Sequence, residues 1–150
     1  MLVLCCGNPD RGDDAAGPLV AHRLRELGVE CRELSGEGLS LMEAWQGAGE
    51  IVLVDAVVTG RPAGAVTVWD ALAAPLASRP LPGSSHALGL AEAVALGRVL
   101  GRLPRRLTLY GIEARRFDPG RRPGKAVLRG VAEVARRIYE YCADQRGTAV

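Results

Sequence analysis

The first 28 residues read MLVLCCGNPDRGDDAAGPLVAHRLRELG, and the order of their apolar and turn-forming residues decides the fold. Met1–Cys6 is a continuous apolar run, typical of a strand that is buried on both faces of a sheet. Turn formers and acidic residues follow it, and then a helical stripe that Gly28 ends. The apolar residues of that stripe are Ala16, Val20, Leu24 and Leu27. This order predicts a strand, a loop and a helix, the first half of a parallel βαβ unit.

The remainder of the chain continues the alternation. Apolar, partly β-branched runs predict strands at Val29–Leu34, Ile51–Val54, Ala65–Trp69 and Leu107–Tyr110. Helical spacing predicts helices at Leu39–Trp45, His86–Leu100 and Val127–Tyr141. Proline-rich and glycine-rich stretches predict loops at Ala71–Gly83 and Ala114–Gly124. Because strands alternate with helices, we expect one α/β domain over residues 1–150, with a mostly parallel sheet covered by helices on both faces.

Composition and charge exclude several classes of protein. The chain has 150 residues, of which 48% are hydrophobic and 24% charged, and it is therefore expected to fold. No apolar run approaches the roughly 18 residues of a membrane span, and the N-terminus lacks the basic start of a signal peptide. We therefore expect a cytoplasmic protein with no membrane partner. Only 4% of residues are aromatic, so base-stacking surfaces are scarce and no nucleic-acid partner is expected.

Cysteines and glycines are not arranged in a recognised catalytic motif. None of the four cysteines has CxxC spacing, and we expect reduced, mostly buried thiols, with Cys5 and Cys6 on opposite faces of a strand. The four are Cys5, Cys6, Cys31 and Cys142. The glycines of Gly7–Gly17 lack the Lys-Ser/Thr ending of a phosphate loop, and no GxSxG is present.

Candidate site residues follow the ends of two predicted strands and begin a predicted helix. Asp13 and Asp14 follow the first strand, Asp55 follows Val54, and His86 begins the helix after the proline-rich loop. Ligands of open α/β sheets bind beyond the carboxyl ends of strands, so these residues are expected at one edge. Two carboxylates and one imidazole form a three-ligand set for a divalent metal.

Each candidate also has a simpler interpretation. Asp13 or Asp14 is also suited to cap the following helix, and we assign that role to Asp13. Asp55 is also typical of a turn acid and His86 of a structural histidine. His22 is expected to face solvent on the polar side of its helix.

Four short motifs follow one another along the chain: Gly7-Asn8-x3-Gly12-Asp13-Asp14-x2-Gly17, Ile51–Ala56, Ser85–Ala91 and Tyr110–Glu113. In this order they resemble the motifs of hydrogenase maturation endopeptidases. These enzymes remove the C-terminal extension from the large subunit of nickel–iron hydrogenases. The resemblance covers nearly the whole chain and implies a three-layer α/β/α domain with a sheet of about five strands between helices.

The resemblance also implies a site and a partner. Asp14, Asp55 and His86 would be the catalytic, metal-binding residues, and the metal would be nickel supplied by the substrate, with zinc or cadmium able to substitute. The metal would polarise the scissile carbonyl or activate a water, and a carboxylate base remains an alternative. The implied partner is a hydrogenase large-subunit precursor, processed in the cytoplasm by a monomer. Ser35 stands where many relatives have an acid, and Glu37 is a candidate substitute.

Two other functions remain open. A metal-dependent maturation chaperone would use the same three ligands without cutting the precursor. A small hydrolase resembling peptidyl-tRNA hydrolases is suggested by Gly7-Asn8-Pro9, although His22 is misplaced for its catalytic histidine.

The charge is unevenly distributed. Residues 1–75 contain five Arg and eleven acidic residues, whereas residues 76–150 contain fourteen basic and six acidic residues. The basic residues of the second half would either steer an acidic precursor surface or form a solvated surface. The candidates for steering are Arg105, Arg106, Arg115, Arg116, Arg121 and Arg122.

Overall fold

The computed structural model describes residues 1–36, 38–73 and 85–148, and for residues 85–88 it describes the backbone alone. The strands are β1 (Leu2–Cys6), β2 (Cys31–Leu34), β3 (Glu50–Val57), β4 (Val66–Asp70) and β5 (Arg106–Glu113). The helices are α1 (Ala16–Glu26), α2 (Gly38–Trp45), α3 (Ser85–Leu100) and α4 (Lys125–Gly147). A 3₁₀ helix, Gly12–Ala15, precedes α1. The predicted alternation of strands and helices is confirmed.

The five strands form one sheet in the order β2-β1-β3-β5-β4. β1, β2, β3 and β5 run parallel, and β4 pairs antiparallel with β5 at one edge. From β1 the chain continues to β2, which lies on one side of β1. It then returns to β3 on the other side of β1, and β5 lies beyond β3. The strand order therefore reverses between β1 and β3, which makes their carboxyl ends the topological switch point of the sheet.

Helices cover both faces of the sheet, which confirms the three-layer prediction. Val3 and Cys5 of β1 belong to a core cluster with residues of α1 and α4. Leu4 and Cys6 belong to a second cluster, with residues of α2 and α3. This division follows from the alternation of side chains along a strand. It also confirms that the two adjacent cysteines lie on opposite faces.

Two strands extend further than the sequence indicates. β3 and β5 are paired from Glu50↔Arg106 to Val57↔Glu113, so both continue past the positions where we predicted their ends. Asp55 and Gly111 are residues typical of strand ends, but the continuous ladder between the two strands overrides that local preference. Asp55 therefore lies inside β3 rather than after it.

Some sequence predictions concern residues that the structure does not describe. Most of the predicted loop Ala71–Gly83 lies outside them. The four cysteines are all free thiols, and Cys5, Cys6 and Cys31 are buried. Within the described part of the chain, no helix has the length and apolar character to cross a membrane.

Candidate active site

A cleft of about 410 Å³ opens at the carboxyl ends of β1 and β2. The loop that follows β1 and the last residues of β2 line it, and Asp14, Glu33 and Ser35 are among its polar residues. A second cleft, also of about 410 Å³, lies at the other end of the molecule, but its lining has no carboxylate, cysteine or histidine. Chemistry rather than volume therefore identifies the first cleft as the candidate site.

Hydrogen bonds to the segment that follows β1 hold Asp14 in place. Its side chain is buried, and Oδ2 accepts a hydrogen bond from the backbone N–H of Asn8 at 3.0 Å. The backbone N–H of Asp14 in turn donates to the carbonyl of Arg11 at 3.0 Å. These two bonds close the segment from residue 8 to residue 14 upon itself. The carboxylate of Asp14 is thereby fixed beside the carboxyl end of β1.

The glycine at position 17 allows α1 to begin against β1. A Cβ atom at Gly17 would lie 2.0 Å from the carbonyl oxygen of Cys6, far inside van der Waals contact. Only a residue without a side chain permits this approach of helix and strand. Gly17 thus sets the short connection in which Asp14 lies.

Asp55 is the second buried carboxylate of this region. It is 7% exposed, and its Oδ1 accepts a hydrogen bond from the N–H of Ala56 at 2.9 Å. β3 lies next to β1, and Asp55 follows the register pair Cys5↔Val54 by one residue. It is therefore level with Cys6, the last residue of β1.

Both carboxylates affect the pKa of the Cys6 thiol. Burial raises its pKa, and the charges of Asp55 and Asp14 raise it further, because a thiolate beside two carboxylates is unfavourable. The charges of Asp14 and Asp55, which are 41 positions apart in sequence, therefore act on the same thiol. Cys6 remains protonated and is not suited to act as a nucleophile.

The beginning of α3 lies at the same edge. A Cβ atom at Gly89 would lie 2.1 Å from the carbonyl oxygen of Gly36, so the second turn of α3 packs against the segment that follows β2. His86 is in the preceding turn of that helix. Its side chain lies outside the described residues, as does Glu37. A shared site of His86 with Asp14 and Asp55 stays a prediction.

No cluster of three or more metal-ligating side chains occurs among the side chains that the structure describes. The predicted set consists of two described carboxylates and the imidazole of His86. A divalent ion at Asp14 and Asp55 therefore also remains a prediction. Carboxylate oxygens and imidazole nitrogen are suitable ligands for zinc or nickel.

The prediction that Asp13 caps the following helix is wrong. Neither the 3₁₀ helix nor α1 has a side-chain cap. The carboxylate of Asp13 is buried and accepts backbone hydrogen bonds from Arg115 at 2.8 Å, Arg116 at 3.0 Å and Gly124 at 2.9 Å. It therefore holds the loop between β5 and α4. No local sequence signal indicates this role, because the partners are more than 100 residues away.

Glu113 also has a role that sequence analysis missed. This side chain is only 2% exposed, and its carboxylate accepts hydrogen bonds from the N–H and hydroxyl groups of Thr59 and from the N–H of Arg61. The last residue of β5 thus fixes the turn between β3 and β4. Glu113, the last residue of the fourth sequence motif, therefore has a structural role.

His22 lies on the exposed face of α1, as predicted, and its Nε2 is 3.4 Å from Glu26. It is not among the residues that line the cleft. This position gives no support to a hydrolase that would use His22 as its base.

The fold is similar to that of solved structures named as hydrogenase maturation proteases. One is the hydrogenase maturating endopeptidase HybD from E. coli, with a TM-score of 0.81, 23% identity, and coverage of 99% of this chain and 93% of that chain. Another is the [NiFe] hydrogenase maturation protease HybD from Thermococcus kodakarensis, with a TM-score of 0.73, 24% identity, and coverage of 93% and 97%. No family model and no curated protein matches the sequence. At this identity the likeness establishes a common fold.

Proposed function

We propose that the protein is an endopeptidase that removes the C-terminal extension of a nickel-loaded hydrogenase large-subunit precursor. The observation that carries the proposal is the position of two buried carboxylates at the switch point of the sheet, where α/β proteins bind ligands. Asp14 follows β1, and Asp55 of the neighbouring strand β3 is level with Cys6, the last residue of β1. The same fold occurs in solved proteins named as hydrogenase maturation proteases. The four sequence motifs supply the remaining support.

In this proposal Asp14, Asp55 and His86 bind the nickel of the precursor, so that the metal belongs to the substrate. Two anionic oxygens and one neutral nitrogen leave part of the coordination sphere to the precursor's own ligands. Nickel in this position polarises the scissile carbonyl or activates the attacking water. The burial of both carboxylates supports such a role, because displacement of water strengthens their electrostatic interaction with a cation.

Incubation with a purified, nickel-loaded precursor tests the proposal. Shortening of the precursor on a denaturing gel is the expected result, and a precursor without nickel is expected to remain intact. Asp14→Asn, Asp55→Asn and His86→Ala should each abolish cleavage, and combined changes should add little if the three act as a unit. His22→Ala is the matched control, since this histidine is exposed on α1 and outside the cleft.

The assay also separates the endopeptidase from a maturation chaperone. A precursor that is bound but keeps its length would overturn the proteolytic function in favour of a chaperone. A folded His86→Ala variant that cleaves at the parental rate would refute the proposed ligand set. Circular dichroism of each variant establishes that loss of cleavage is not loss of folding.

A further inference from the structure

A cluster of exposed arginines borders the cleft, and we call it the basic surface. Its members, all of them exposed, are Arg11, Arg115, Arg116, Arg121 and Arg122. Lys125 follows as the first residue of α4 and is exposed as well. The neighbouring exposed acids in these two segments are Asp10 and Asp118, and Asp118 lies 3.6 Å from Arg121. Positive charge thus predominates over this part of the molecule.

The basic surface is held in place by main-chain hydrogen bonds. The buried carboxylate of Asp13 binds the loop at its beginning and at its end. Gly12 donates to the carbonyl of Arg121 at 3.1 Å, and Gly120 donates to the carbonyl of Asp10 at 2.8 Å. The loop after β1 and the loop after β5 therefore form one fixed unit. A surface whose backbone is already ordered loses little entropy when a partner binds.

Arg11 connects the basic surface to the candidate active site. It lines the cleft together with Asp14, and its Nε donates to the carbonyl of Phe117 at 3.3 Å. The positive charge therefore begins at the wall of the cleft and extends along the loop that follows β5. A protein chain that enters the cleft would have its flanking residues over this surface.

The structure separates the six arginines that the sequence grouped together. Arg105 and Arg106 lie at the amino end of β5, next to Gly49, whereas the other four follow its carboxyl end. The eight residues of β5 span about 25 Å at roughly 3.3 Å per residue. At physiological salt this exceeds the screening length of about 8 Å, so the two groups act independently.

We propose that the basic surface docks an acidic region of the substrate protein beside the segment to be cleaved. This inference rests on the proposed function, because it assigns a partner surface to the same site. Complementary charge next to a catalytic cleft accelerates encounter and fixes the orientation of the partner. A protein partner is favoured over a nucleic acid, since Phe117 is the aromatic residue of the loop and it packs against the core.

The test measures binding and cleavage separately. Two double variants remove charge from the basic surface: Arg115→Gln with Arg116→Gln, and Arg121→Gln with Arg122→Gln. The matched control is Arg102→Gln with Arg105→Gln. It removes two exposed arginines that precede the amino end of β5, away from the cleft. The binding probe is a fluorescent peptide of ten glutamates, with a single-stranded oligonucleotide of equal charge and a neutral peptide for comparison. Thermal unfolding of each variant establishes that it is folded.

We expect each double variant to bind the glutamate peptide about fivefold more weakly at low salt, with the control unchanged, as for a few exposed ion pairs. The difference should vanish at roughly 0.3 M salt, because the charges are then screened. Cleavage of the hydrogenase precursor should slow by a similar factor at low precursor concentration and recover at saturation. That pattern indicates weaker docking with intact chemistry.

Three outcomes would overturn the docking proposal. Equal binding of the peptide by the parent and both double variants excludes the basic surface as the binding site. Tighter binding of the oligonucleotide, lost in the same variants, assigns the surface to nucleic acid. Unchanged cleavage in variants that no longer bind the peptide shows that the substrate does not use it. If no precursor is cleaved by the parent while peptide binding follows the pattern above, the proposed function fails and the acidic-protein surface stands.

Discussion

Replacement of Asp13 by alanine tests how the loop after β5 is held. The carboxylate of Asp13 accepts three backbone hydrogen bonds of 2.8, 3.0 and 2.9 Å from a loop more than 100 residues away. Asp13 is 3% exposed, so water has little access to its carboxylate. Truncation leaves these donors without their anionic acceptor.

The expected cost follows from these three bonds. A hydrogen bond to a charged group contributes about 1.5–3 kcal/mol, and an unsatisfied buried donor costs about as much. The loop is partly exposed and water replaces some of the loss, so we expect Asp13→Ala to lower the free energy of unfolding by about 3–5 kcal/mol. For a chain of this length, each kcal/mol lowers the melting temperature by roughly 2–4 °C. A decrease of about 10 °C is therefore expected.

Asp13→Asn should lie between the alanine variant and the parent. The amide oxygen can keep the two bonds to Arg115 and Arg116, but its NH₂ group then faces the N–H of Gly124. Asp118→Ala is the control, because this acid lies in the same loop, is exposed and makes one ion pair of 3.6 Å. Exposed pairs contribute about 0–1 kcal/mol, so its unfolding should change little.

Urea unfolding at neutral pH measures these differences, and amide hydrogen exchange locates them. In Asp13→Ala the amides of Arg115, Arg116 and Gly124 should lose protection, while those of β1 and β3 keep it. An alanine variant that unfolds within about 0.5 kcal/mol of the parent, the range of an ordinary surface substitution, would refute the role assigned to the carboxylate.

Three further predictions follow from other contacts. Glu113→Ala should destabilise the protein by about 2–4 kcal/mol in urea unfolding, because the turn between β3 and β4 loses its buried acceptor. Gly17→Ala should prevent α1 from approaching Cys6 and lower the yield of folded protein, whereas Gly147→Ala, which has open space, should not. Tyr141 donates to Glu50 at 2.6 Å, and this bond raises the pKa of Tyr141. Tyr141→Phe should therefore be less stable than the parent below pH ~10, and the difference should disappear as the pH rises through the tyrosine pKa.

Local sequence patterns determined the secondary structure and its order. The apolar run at the N-terminus, the helical spacing that follows it and the stripe of α4 correspond to β1, α1 and α4 in the structure. These patterns succeed because the period of side chains along a strand or a helix is a local property of the backbone. The same reasoning predicted Asp14 and Asp55 at one edge of a parallel sheet, and their grouping with His86 in one site stays a prediction.

Only the tertiary structure decided where each strand ends and what Asp13 does. β3 continues past Asp55 because eight successive residues pair with β5, which lies about 55 positions later in the sequence. Asp13 and Asp14 are adjacent and chemically identical, yet the first binds the loop after β5 and the second binds the N–H of Asn8. The physical reason is that a carboxylate accepts hydrogen bonds from whichever donors the folded chain brings within about 3 Å of it. Contacts between distant segments produce no periodic pattern in the sequence.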